Sequence, residues 1–109
     1  MAPNVTEARS APAELETVGL VEALELCLLL CDAEPSRFER AALRWHGRYC
    51  REVAGVELDE GQAVLAGLGA LRGPRAKAAA RGLAELLYRR GLERACEAFI
   101  HWTNERVPR

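Results

Sequence analysis

A chain of 109 residues, half of them apolar and 28% charged, has the composition of one folded domain and lies far from the low-hydrophobicity corner where chains stay disordered. Its formal charge of −1 and isoelectric point near 6.1 exclude a generally basic nucleic-acid-binding surface, so any polyanion site has to be local. The longest apolar run, from Leu26 to Cys31, is six residues, too short for a membrane span of about 20.

Residues 1–12 hold Pro3 and Pro12 among small and polar residues with no apolar period, and are expected to form a disordered tail ahead of a helical domain over 13–109. From Ala13 the pattern changes. Leu15, Val18, Leu20, Val21, Leu24, Cys27, Leu28 and Cys31 recur at about 100° per residue, and Leu26, Leu29 and Leu30 widen that arc around the cylinder. A helix so apolar is expected at the centre of the fold, or with part of its surface covered by a second copy through Leu26, Leu29 and Leu30.

Pro35 suits the first turn of a second helix, with Ser36 and Glu39 at capping-box spacing and Gly55 just past its end near Val53. Asp59 and Gln62 are placed to cap a third, which reaches about Arg72 and ends at Gly73-Pro74. Its small residues Ala63, Ala66, Gly67, Gly69 and Ala70 permit a close approach of another helix. A fourth carries Ala76, Ala79, Ala80, Leu83, Leu86 and Leu87 on one face and is stopped or kinked by Gly91; a fifth has an inner stripe of Leu92, Ala95, Cys96, Phe99, Trp102 and Thr103. Short connections and no alternating pattern predict an all-α bundle of five helices, mostly antiparallel to their neighbours.

The densest local chemistry is Arg44-Trp45-His46-Gly47-Arg48-Tyr49-Cys50. On a helical wheel Phe38, Ala42, Trp45, Tyr49 and Val53 form one arc, which makes the two aromatics core anchors. Arg37, Arg40, Arg44, Arg48 and Arg51 form an outward stripe on the other side, and His46 and Cys50 fall on the shoulder between. The stripe, with Arg75, Lys77 and Arg81 from a stretch of net charge +5 over residues 72–94, offers a polyanion contact, the alternative to a solvated surface. Cys27, Cys31, His46 and Cys50 include the residue types of a zinc site. In an antiparallel hairpin, however, Cys27 is level with about residue 40, so His46 is about 9 Å further along and no single ion spans the set. His46 and Cys50 are also the one pair at contact spacing for a thiolate nucleophile and its base, yet no phosphate loop, nucleophile elbow or His-Glu-x-x-His accompanies them.

Arg44-Trp45, Arg48-Tyr49 and the run from Arg90-Gly91-Leu92-Glu93-Arg94 to Trp102 resemble small uncharacterised all-helical proteins of high-GC actinobacteria, over about residues 20–102. Fourteen Arg against one Lys fits such a GC-rich origin. The resemblance implies a helical fold and brings no activity and no site residues with it. With no cationic-then-apolar secretion signal in the first residues, the cysteines are expected to be reduced thiols in a cytoplasmic protein. The function expected is a non-enzymatic helical-bundle module, without cofactor or metal, that binds a protein partner or forms a homodimer; nucleic-acid association is the alternative.

Overall fold

Pro35 marks the first corner of the chain, because its ring fixes the backbone angle that starts a helix and removes an N–H that would have no partner there. The computed structural model describes residues 6–106, with side chains from residue 19 onward. Five helices follow one another: α1 (Thr6–Ala33), α2 (Pro35–Glu52), α3 (Leu58–Ala70), α4 (Ala76–Arg89) and α5 (Glu93–Glu105). The fold is an all-α bundle, with no strand among the described residues. Of the tail expected over residues 1–12, residues 1–5 lie outside the described residues, and residues 6–12 form the first part of α1.

The ends of the helices follow local chemistry, with two corrections. Pro35 opens α2, but the cap position belongs to Glu34, whose side chain makes no capping bond, so the box expected of Ser36 and Glu39 does not form. Glu57 likewise takes the cap position of α3, and Asp59, inside the helix, accepts from the Glu60 N–H at 2.8 Å. Proline needs no side-chain acceptor at its own position, and the turn at Gly55 delivers the chain to Glu57 in extended form, one residue ahead of Leu58. At the far end of α4 the prediction holds: Gly91 has φ +80°, Leu92 N–H donates back to Leu87 O and Gly91 N–H to Tyr88 O, both at 2.9 Å. That is a Schellman stop, and glycine meets its left-handed requirement without strain.

Each helix packs on the one before and the one after it, and α5 returns to α1, so the five form a closed ring. Five is an odd number, and a ring of antiparallel neighbours closes only if one contact is parallel. That contact is α1–α5: Arg94 at the start of α5 pairs with Glu22, while Trp102 and Arg106 at its end both reach Asp32. Inside the ring one core joins Leu24, Leu28, Trp45, Leu68, Leu87 and Phe99 from all five helices. The predicted inner faces of α2 and α5 are the buried ones, Phe38, Ala42, Trp45 and Tyr49 on the former, Ala95, Cys96, Phe99, Trp102 and Thr103 on the latter.

α1 is not the central helix. In a ring it has two neighbours, α2 and α5, and its third side faces out. Of the two glycines in the small-residue stretch of α3, Gly67 makes the close approach, where a Cβ would come within 2.9 Å of Leu83, and beside Gly69 there is nothing within 4 Å.

Candidate protein-binding surface

The outward side of α1 is a ridge at helical spacing: Glu22, Leu26, Leu29 and Ala33 are all exposed. Leu26 is 54% exposed and Leu29 61%. Leucines at that exposure leave apolar area in water worth about 25 cal/mol per Å² if covered. Leu30, expected to share this surface, is only 8% exposed and belongs to the core. One helical step past Leu29 it turns toward α2, which covers it.

Two grooves run along the ridge, one on either side, and their charges are opposite. Between α1 and α2, Leu26 shares a groove with Arg37, Arg40 and Arg44 and, among the described residues, with no acid. Between α1 and α5, Leu29 shares one with the carboxylates of Glu25, Asp32, Glu97 and Glu105 against Arg94. The second groove is about 530 Å³ and is floored by Leu28, Ala98 and Trp102. Its lower end is locked: the Trp102 indole N–H donates to Asp32 at 3.0 Å, and Arg106, stacked 4.1 Å over the same ring, donates to the other oxygen of Asp32 at 2.6 Å.

The arginine stripe faces outward as expected, with Arg37, Arg40, Arg44 and Arg51 exposed. Arg37 pairs with Glu34 at 3.2 Å and Arg48, half-buried, with Glu52 at 2.9 Å, whereas Arg40 and Arg44 have no ion pair among the described residues. Arg75 and Arg81 are exposed and Lys77 half-buried, on or just before α4. α2 and α4 each pack on α3 and not on each other, so the two basic stretches do not share a groove between helices. Within the second stretch Arg90 and Arg94 are engaged by Glu60 and Glu22.

The four thiols divide between core and surface. Cys27, Cys31 and Cys96 are buried, Cys50 is exposed, and all four are free. Burial pushes the Cys27 thiol up to about 11 and raises those of Cys31 and Cys96 as well. The Cys31 thiol donates to Leu71 O at 3.7 Å. His46 Nε2 donates to Gly61 O at 2.8 Å, and the same nitrogen lies 3.6 Å from Cys50 Sγ. Because a carbonyl only accepts, that nitrogen carries its proton and has no lone pair for the thiol. As arranged, the pair is no nucleophile with its base. Among the described residues no three His, Cys, Asp or Glu side chains stand together as metal ligands would. Among them, too, no helix is long and apolar enough to cross a membrane.

Two features escaped the reading of the sequence. The carboxylates of the second groove were legible in part, since Glu97, His101 and Glu105 recur every four residues on α5, and His101 pairs with Glu105 at 2.9 Å. The second is a clasp without local signal. Glu60 accepts from Tyr49 Oη at 2.7 Å and from Arg90 Nε at 2.9 Å, and its other oxygen accepts from Arg90 Nη2; Arg90 also donates to Ala54 O and Gly55 O. In comparisons with known proteins, no family model, curated sequence or solved structure matches this chain.

Proposed function

We propose that the chain is a non-enzymatic, cytoplasmic helical module that works by binding protein across the outer ridge of α1. The observation that carries this reading is the exposure of Leu26 and Leu29, 54% and 61%, on a helix whose other leucines from Leu24 to Leu30 are buried. Each leucine sits at the lip of a groove with charged walls, an apolar centre with a polar rim such as protein interfaces have. Four free thiols, three of them buried, suit a reducing compartment. The His46–Cys50 arrangement offers no base to a nucleophile, which favours binding over catalysis.

A photo-crosslinking residue placed at Leu29 tests the reading in the cells that make the protein. A covalent adduct with protein is expected there, and none from the same residue at Arg81, which is exposed on α4 far from the ridge in chain order. A Leu29 probe that captures no protein, with the folded chain present, overturns the reading.

A further inference from the structure

The ridge of α1 has a basic groove on one side and an acidic groove on the other, and this asymmetry selects a partner. The basic groove offers three arginines, of which Arg40 and Arg44 have no ion pair among the described residues. The acidic one offers the carboxylates of Glu25 and Glu97, with Glu105 beside His101 and Asp32 held by Arg106, while its Arg94 is held by Glu22. A surface divided in this way along one helix is complementary to itself. Consider two copies set ridge to ridge. If the two-fold axis runs parallel to α1, left and right exchange, and the basic groove of one copy lies over the acidic groove of the other, on both sides of the axis at once. If the axis runs across α1, arginine meets arginine and carboxylate meets carboxylate, an arrangement that like-charge repulsion opposes.

We propose that the partner is a second copy of this chain, seated on the α1 ridge about a two-fold axis parallel to that helix, with Arg40 and Arg44 of each copy over Glu97 and Glu105 of the other. The proposal rests on the reading that the ridge binds protein, and it adds the identity of the partner and the direction of the pairing. Leu26 and Leu29 then lie along the axis, where the two ridges meet and exclude water, and the charged grooves form the rim. Two-fold pairing uses the same patch twice, so each favourable contact occurs in duplicate. Because the rim charges are exposed before pairing, they set orientation and salt dependence more than total affinity.

Charge exchange tests it in the full chain. At about 10 µM, sedimentation equilibrium of the unaltered protein should give twice the 12.0 kDa chain mass. Arg40→Glu with Arg44→Glu should weaken pairing at least about tenfold, and so should Glu97→Arg with Glu105→Arg, since each places like charges opposite each other on both sides of the axis. An equimolar mixture of the two variants should pair again, and a chain carrying all four changes should pair with itself. All four positions are exposed, and circular dichroism of each variant checks its fold. As a measurement that needs no variant, the dissociation constant of the unaltered protein should rise steeply between about 0.05 and about 0.5 M salt. A protein that stays monomeric while its Leu29 probe captures a different protein would overturn the proposal and leave the ridge as a binding surface. A dimer insensitive to salt and to all the charge changes would overturn it too, as would a four-fold variant that remains monomeric.

Discussion

Glu60 receives donors from two other helices: the Tyr49 hydroxyl from α2 and the Arg90 guanidinium from the end of α4. The hydrogen bonds from Arg90 hold the Glu60 carboxyl below its ordinary value; burial opposes them as the next largest effect, and the Tyr49 hydroxyl and the Arg90 charge add smaller lowering contributions. The same arrangement raises the Tyr49 hydroxyl, chiefly by burial and then by the neighbouring carboxylate. A carboxyl whose value is lowered in the folded state contributes stability above its unfolded value of about 4.3, and that contribution is lost as pH falls through the folded value. Glu60→Gln should therefore be less stable than the unaltered chain in urea at pH 7. The gap should narrow as the pH falls below about 4.3. A gap that stays constant with pH would mean that the carboxylate charge contributes nothing to the clasp. Trp45 raises a different kind of question, because its 2% exposed ring packs 5.5 Å from Tyr49 and its indole N–H donates to Leu20 O at 2.8 Å. Trp45→Ala empties that site and should cost about 3 to 5 kcal/mol, whereas Trp45→Phe keeps most of the packing and should cost nearer 1 kcal/mol for the lost hydrogen bond. Equal melting of the two variants would show that packing volume is not what Trp45 supplies.

Among the helices, what the sequence made legible was whatever depends on a residue's own backbone or on its phase within one helix. Pro35 and Gly91 act through fixed or permissive φ, and Phe38, Ala42, Trp45 and Tyr49 are three or four residues apart; neither property needs knowledge of a neighbour. The fate of the wide apolar arc of α1 was not legible in this way. Leu26, Leu29 and Leu30 are equivalent in sequence, and only the positions of α2 and α5 decide that Leu30 is covered while the other two are left in water. The glycines make the same point in a form that can be measured. Gly67 and Gly82 are both interior helical glycines, but a Cβ at Gly67 would press on Leu83 at 2.9 Å while one at Gly82 would meet nothing within 4 Å. Gly82→Ala should thus stabilise the fold by up to about 1 kcal/mol through helix propensity. Gly67→Ala should gain less or lose, because crowding of Leu83 opposes the same gain. Urea midpoints of the two variants check this, and an equal gain at both positions would show that α3 and α4 do not need glycine to approach.

Closing five helices into a ring concentrates its weakness in the one parallel contact, because α1 and α5 are the first and last of the five helices and are joined by no short loop. Helix pairs linked by a tight turn are held by it even when their side chains loosen; this seam has only its packing and its cross-links. The exposed Arg94–Glu22 pair at one end is of the kind that contributes little. The other end is better built, since Asp32 accepts from the Trp102 indole and from Arg106 with separate oxygens while Arg106 lies over the indole ring. Two charge-assisted bonds and a cation stacked on an aromatic face depend on that one carboxylate. Asp32 is itself about half exposed, 49% by side chain, so solvent screening reduces its worth to the order of 1 to 2 kcal/mol. Asp32→Ala should accordingly lower the melting temperature by several degrees, at about 4 to 8 °C per kcal/mol for a domain of this size. Glu34→Ala, which removes only a surface pair with Arg37 three residues away, should shift it by very little. The location of the damage can be read as well as its size. The chain has two tryptophans, so in a Trp45→Phe background the emission reports Trp102 alone. Trp102 is 6% exposed when the seam is closed, and acrylamide should quench it more strongly in Asp32→Ala than in Glu34→Ala. If Asp32→Ala melts with the parent and its Trp102 is quenched no faster, the seam is closed by apolar packing of α5 on Leu28 and Val21, and the polar lock merely decorates its end.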